Sequence, residues 1–223
     1  MCVIAICPEG TSLNKEEFKK CFNSNDDGAG FAWSNGEKVM FHKGLMTADK
    51  AWKAYRKIYK FNHVAHFRLV SAGKECKELC HPFVISKDSP ISLYGEADAV
   101  LFHNGTVYGW QSFITTMALI DNKYPEGEMS DSRAMAMIYA RLGDNIIKND
   151  TGKYVILDKD KVTTYGAFTE HEGRQFSNML WNMSARAMTE VDNTRFYRGL
   201  SETSGKQSSL YDELWGGRNY YGY

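Results

Sequence analysis

Residues 1–10 read MCVIAICPEG, and the run from Cys2 to Cys7 within them decides the fold. Val3, Ile4 and Ile6 are β-branched, no polar residue interrupts the run, and Pro8 and Gly10 close it. That pattern suits a strand buried on both faces. Cys2 directly follows the initiator methionine. As a core residue it is simply a small hydrophobe. If Met1 is removed, the same residue carries a thiol and a free α-amine, a nucleophile beside its own base.

The chain has 223 residues, 43% hydrophobic and 24% charged, enough to bury a sizeable core in one domain with at most an appendage. Lysine and arginine number 27, aspartate and glutamate 27, so the formal net charge is zero. No run of five or six like charges occurs, so neither a nucleic acid nor an anionic membrane is expected as partner. The five cysteines, Cys2, Cys7, Cys21, Cys76 and Cys80, are odd in number and irregularly spaced. This is no disulfide framework and points to a reducing compartment, the cytoplasm. Cys76, Cys80 and His81 lack the second close pair that a structural zinc site wants, and no metal or other cofactor is expected. No apolar stretch approaches the length of a membrane span, and no signal peptide opens the chain.

Outward from the first strand, Asn14 precedes Lys15–Phe22 with Glu17 three residues on, the pattern of a capping box opening an amphipathic helix. Phe31–Trp33 and Lys38–His42 flank Ser34-Asn35-Gly36-Glu37, read as a hairpin whose Asn-Gly pair takes positive φ at both central residues. Thr47 is read as the cap of a helix whose apolar stripe runs Ala48, Ala51, Trp52, Tyr55, Ile58 and Tyr59. His63–Val70 and Ala99–His103 read as strands, Trp110–Ile120 and Asp131–Leu142 as helices. Tyr154–Leu157 and Lys161–Tyr165 read as a hairpin across Asp158-Lys159-Asp160. Paired strands with helices in two blocks predict an α+β layered domain over residues 1–184. Residues 185–223 are rich in Gly, Ser and Tyr and read as a C-terminal tail. No internal repeat is present.

Four stretches carry the chemistry: Met1-Cys2, AHFRLVSAG at 65–73, FHNG at 102–105 and MSDSR at 129–133. Singly each has an ordinary explanation. An Asn-Gly pair is a turn, a strand Arg pairs on a surface, and a Ser-Asp before a helical pattern is a cap. Together with Asp27-Gly28-Ala29-Gly30-Phe31 and Cys80-His81-Pro82-Phe83, in this order, they resemble the class II glutamine amidotransferases, which are N-terminal-nucleophile hydrolases. The resemblance runs from Cys2 to about Asn178 and is nearest to the compact, stand-alone members of bacteriophages and bacteria. It implies a four-layer αββα sandwich with the cysteine at the start of a central strand.

The resemblance also implies roles. Cys2 is the nucleophile, with its α-amine, exposed by loss of Met1, as the proton shuttle. Asn104 supplies its side-chain amide and Gly105 its backbone N–H to the oxyanion. Arg68 binds the substrate carboxylate and Asp131 its ammonium, while backbone groups around Leu69–Ser71 line the pocket. These residue types suit the task. A free thiol has a pKa near 8.5 and an α-amine one near 7.7–8.0, so the amine is well placed as a base. A planar guanidinium takes a carboxylate bidentately. Four positions depart from the family pattern: Phe67, Val70, Ser71 and Arg133. The last stands where an acid is common.

The expected activity is hydrolysis of the glutamine side-chain amide through a γ-glutamyl thioester on Cys2. The ammonia would go to a separate synthase or to solvent, since residues 185–223 are too few for a fused synthase domain. If the protein is phage-encoded, it would act in the host cytoplasm. Two alternatives stand beside it: an amidohydrolase acting on another γ-glutamyl or amide substrate, and a non-catalytic binding or virion-associated protein on the same scaffold.

Overall fold

In the computed structural model, which describes residues 1–70 and 74–183, Val3–Cys7 forms strand β1 and all five residues are buried. The chain then forms helix α1 (Lys15–Asn23), strands β2 (Ala29–Ser34) and β3 (Val39–Leu45), helix α2 (Ala48–Tyr55) and strand β4 (His63–Phe67). Strands β5 (Phe83–Val84), β6 (Tyr94–Ala97) and β7 (Ala99–Asn104) follow, then helices α3 (Trp110–Asp121), α4 (Asp131–Leu142) and α5 (Asn145–Lys148). Strands β8 (Lys153–Asp158), β9 (Val162–Tyr165), β10 (Thr169–His171) and β11 (Arg174–Phe176) complete the order. Residues Met1–Asn182 form one compact unit. The tail read over 185–223 lies outside the described residues, as does Ser71. No helix among the described residues is long and apolar enough to cross a membrane.

Two antiparallel sheets result. One has seven strands in the order β10-β11-β1-β4-β2-β3-β6, the other four in the order β5-β7-β8-β9. Strand side chains alternate between faces, and the core follows that period. Ile4 and Ile6 of β1 join Ala32, Val39, Phe41 and Val64 of the larger sheet in one cluster with Val100, Phe102, Val155 and Leu157 of the smaller. The opposite faces serve helices. Val3, Ala5 and Cys7 pack with Phe18 and Phe22 of α1 and Ala51 and Tyr55 of α2. Leu101, Tyr154 and Ile156 pack with Met135 and Ala136 of α4 and Ile147 of α5. β1 is buried on both faces because each face has a partner layer.

Local signals account for several elements. Asn14 Oδ1 accepts from the Glu16 and Glu17 amides at 2.9 and 3.0 Å, and Glu17 Oε2 accepts from Asn14 N at 2.9 Å, a complete capping box. α4 begins where expected, with Ser130 Oγ accepting from Arg133 N.

Four readings need correction. The β2–β3 connection is a four-residue loop closed by the pair Ser34↔Val39. Gly36 has φ +93°, but Asn35 is not in the left-handed region; its Oδ1 accepts from Glu37 N and Lys38 N instead. The side chain supplies the turn that the backbone was expected to make. α2 stops at Tyr55, so Ile58 is buried from the following turns and Tyr59 is exposed. β4 ends at Phe67: Arg68 N still bonds Gly28 O at 2.8 Å, but Val70 N leaves the ladder for the Asp27 side chain, Oδ2, at 2.7 Å. Strands β5, β6, β10 and β11 have no counterpart in the sequence reading.

Candidate active site

The sheet register places the expected residues. β1 and β4 are antiparallel with Val3↔Phe67 as the last pair, so Cys2 stands beside the chain as it leaves β4. Its Sγ accepts from Leu69 N and donates to Leu69 O, each at 3.3 Å. β7 of the smaller sheet ends at Asn104, whose Nδ2 reaches Cys2 O at 2.6 Å. Asp131 occupies the first turn of α4. Cys2, Arg68, Leu69, Gly105 and Asp131 line one cleft, together with Val70, Leu79, His81, His103, Ser130 and Ser132. The cleft encloses about 20 Å³, on the order of the space one water needs.

The contacts of the cleft residues are specific. Arg68 is buried and donates through Nη1 to Cys76 O at 3.2 Å and through Nη2 to Lys74 O at 3.1 Å. Two of its five N–H donors are thus spent on backbone. Asp131 Oδ2 accepts from Val107 N at 3.0 Å, and Oδ1 from Ser132 N at 2.7 Å, which fixes the carboxylate at a helix N-terminus where negative charge is favoured. Ser132 Oγ also donates to Asp131 Oδ1 at 3.3 Å and meets His103 Nδ1 at 2.9 Å. His103 lies flat against Tyr154, with ring centroids 4.5 Å apart. Burial lowers the His103 pKa, with the Asp131 charge opposing. A Cβ at Gly105 would fall 2.7 Å from His103 Nε2, so this position excludes a side chain whether or not a substrate approaches.

Burial is the largest influence on Cys2 and pushes its thiol above the ordinary value; the Leu69 amide, the chain's N-terminal charge and Arg68 act the other way, and Asp131 adds to the rise. The thiol is therefore held in its neutral form at neutral pH.

Asn104 is more committed than its expected role requires. Its Nδ2 donates to Cys2 O and also, at 2.9 Å, to Ser177 Oγ, so both N–H groups are occupied. Ser177 Oγ accepts from Ile4 N at 2.9 Å as well. Asn178 Nδ2 is a second donor to Cys2 O, at 2.7 Å.

Several of these residues were not singled out by sequence. Ser177 and Asn178 follow the short strand β11, which pairs with β1 through Ala5↔Phe176; no local spacing marks them. Asp27 was part of the Gly-rich stretch, and its function there is structural, holding Val70 N. Gly30 admits no side chain, because a Cβ would lie 1.9 Å from His81 O. His81 stacks on His66 with centroids 3.9 Å apart, and among the described residues neither of its ring nitrogens has a hydrogen-bond partner. Arg133, which stands where an acid is common, does not line the cleft. It is buried and donates to Ser89 O, Glu128 O and Asp88 O, bracing two loops. A larger cavity of about 170 Å³ lies against α3 and α4, but no cysteine, serine or histidine lines it.

No protein-family model matches the chain, and no curated protein matches it. Solved structures do. An allosteric regulatory enzyme of purine biosynthesis matches with a TM-score of 0.55 and 16% identity, over 79% of this chain and 41% of that one. The glutamine phosphoribosylpyrophosphate amidotransferase from B. subtilis, complexed with ADP and GMP, matches with a TM-score of 0.54 and 15% identity over the same shares. The chain spans less than half the length of these proteins. Over 79% of its own length, the chain is similar in fold to part of a glutamine phosphoribosylpyrophosphate amidotransferase.

Proposed function

We propose that the protein is a class II glutamine amidotransferase that hydrolyses the side-chain amide of glutamine through a thioester on Cys2. The observation that carries this reading is the convergence of Cys2, Arg68, Gly105 and Asp131 on one cleft, from four separate stretches of chain. The layering expected of such enzymes, an αββα sandwich, is supported by three of the core clusters: helix on sheet, sheet on sheet, sheet on helix.

In this reading Met1 is removed and the α-amine of Cys2 takes the thiol proton, directly or through a water. Sγ bonds to the carboxamide carbon, and the former carbonyl oxygen becomes an oxyanion that accepts from Gly105 N–H and the Asn104 amide. Collapse breaks the C–N bond, and the α-ammonium returns the proton to the departing ammonia. Water then cleaves the thioester to glutamate and regenerates the thiol. Arg68 holds the substrate carboxylate and Asp131 its ammonium, with backbone around Leu69–Ser71 lining the site. A substrate lacking either charge would leave Arg68 or Asp131 desolvated and unmatched, which is the basis of selectivity for an amino acid. The ammonia passes to solvent or to a separate acceptor. Five free cysteines support a reducing compartment, the cytoplasm.

The test is glutamate release from glutamine by the purified full chain, with intact mass to locate the N-terminus. We expect Met1 to be absent, turnover to be present, and Cys2→Ala to abolish it. Turnover unchanged in Cys2→Ala would overturn the mechanism.

A further inference from the structure

An oxyanion donor must have an N–H to give, and Asn104 has none to spare. Its Nδ2 carries two hydrogens, and they are directed at Cys2 O, 2.6 Å away, and Ser177 Oγ, 2.9 Å away. For Asn104 to serve the tetrahedral intermediate it must release one of them. A buried acceptor left without a donor is costly, so the release needs a substitute already in place.

Each acceptor has one. Ser177 Oγ also receives the backbone N–H of Ile4, at 2.9 Å. Cys2 O also receives Asn178 Nδ2, at 2.7 Å. The Asn178 side chain is itself immobilised, because its Oδ1 accepts from Leu180 N at 3.0 Å. Cys2 is thus held at two points independent of Asn104: its carbonyl by Asn178 and its sulfur by the Leu69 backbone amide.

We propose that Asn178 is a positioning residue for the reaction. It keeps the Cys2 carbonyl satisfied and the nucleophile aimed while Asn104 turns one N–H from that carbonyl to the oxyanion. As charge develops on the substrate oxygen, the Asn104 bond to a neutral carbonyl is exchanged for a stronger bond to an anion, and Cys2 O falls back from two donors to one. When the intermediate collapses, the bond returns. Asn178 touches no reacting atom; it acts through Cys2 and Asn104. This assignment rests on the function proposed above.

Two measurements on the full chain test it. The first is glutamate release by the wild type, Asn178→Ala, Asn178→Asp, Asn104→Ala and the double alanine variant, alongside thermal melting. Asn178→Asp keeps the acceptor for Leu180 N but loses the donor to Cys2 O, so it separates this role from folding. We expect both Asn178 variants to lower kcat about tenfold or more with KM within about twofold. In the Asn104→Ala background the loss of Asn178 should cost less than about threefold, because the hand-over it supports is already gone. Equal fold-losses in the two backgrounds, or an unchanged kcat, would overturn the proposal.

The second measurement needs no turnover. Side-chain amide hydrogen exchange of Asn104, followed by nitrogen-15 NMR, should slow in Asn178→Ala, where Asn104 becomes the sole donor to Cys2 O. Exchange that is unchanged or faster would overturn the shared-acceptor arrangement. If the wild type releases no glutamate, the proposed function falls, and the exchange measurement alone decides the place of Asn178.

Discussion

Cys2 shows how burial and thiol reactivity pull against each other. A thiol in a closed cleft prefers to stay neutral, and here burial raises its pKa despite the Leu69 amide and Arg68. With Met1 in place, alkylation of Cys2 by iodoacetamide should therefore rise with pH only above the ordinary thiol value of about 8.5. Loss of Met1, which sets an α-amine on the same residue, should bring the onset down. Peptide-level labelling across pH in N-terminally extended and processed forms measures both. Lys43 is a second residue held against its own preference. It is buried on β3, its Nζ has no hydrogen-bond partner among the described residues, and its nearest compensation is the Phe83 ring, 4.4 Å from Nζ to centroid. Burial lowers its pKa to about 7. The sign follows from linkage. The unfolded chain keeps this proton up to about pH 10.4, the folded one only to about pH 7, so stability rises with pH between them. Lys43→Met keeps the aliphatic stem and removes the charge. It should raise stability by about 1–3 kcal/mol near neutrality and flatten the alkaline rise, as read by urea unfolding at pH 7 and 9.5.

At the scale of elements, what could be read from sequence was what the chain decides locally. The α1 capping box involves only Asn14 to Glu17, and the helix begins where those residues say. β1 could be read because an uninterrupted apolar run has few alternatives. β6 could not: Tyr94-Gly95-Glu96-Ala97 is a strand because β3 supplies its hydrogen bonds through Val39↔Ala97 to His42↔Tyr94, and no residue in it is buried. β11 is equally silent, although it brings Ser177 and Asn178 to Cys2. The cleft residues already present in the four quoted stretches were legible; those delivered by pairing across some 175 positions were not. β11 also carries Arg174, whose guanidinium makes two bonds to the Glu17 carboxylate, Nη1–Oε2 at 2.6 Å and Nη2–Oε1 at 2.8 Å, at the first turn of α1. The Arg174 side chain is 4% exposed and that of Glu17 12%. The two tethers of α1 should separate clearly. Asn14→Ala loses a cap, about 1 kcal/mol. Arg174→Ala leaves the half-buried Glu17 carboxylate with the Asn14 amide but without its cationic partner, about 1.5–3 kcal/mol. Denaturant midpoints at constant m-value make the comparison.

The whole molecule is built to hold histidines neutral. His63, His66, His81 and His103 all lie buried; His81 and His103 line the cleft, and His66 contacts both. Desolvation lowers His63 to about 4 and His66 to about 3, and holds His81 well below the ordinary imidazole value. The environments explain why burial is offset only in part. His63 meets Phe61 O at 2.7 Å and the Tyr55 hydroxyl at 2.8 Å, His66 meets His103 O at 3.2 Å, and His81 stacks on His66 rather than on a carboxylate. A lowered histidine pKa means that the unfolded chain binds protons from about pH 6.5 downward while the folded chain resists them to about pH 4 or 3. Stability is therefore fully present above pH 6.5 and is lost progressively below it, on the order of several kcal/mol by pH 4. His66 faces Phe102 between the sheets, His63 packs on Tyr55 of α2 and His103 on Tyr154 and Ser132 of α4, so protonating them opposes packing in more than one layer and the loss should be cooperative. Urea unfolding at pH 7 and pH 4.5 tests this. A midpoint that falls steeply at the lower pH is expected, with the near-ultraviolet signal of the buried aromatic residues lost in the same transition. A midpoint indifferent to pH across that interval would mean that these imidazoles reach water or a carboxylate in solution.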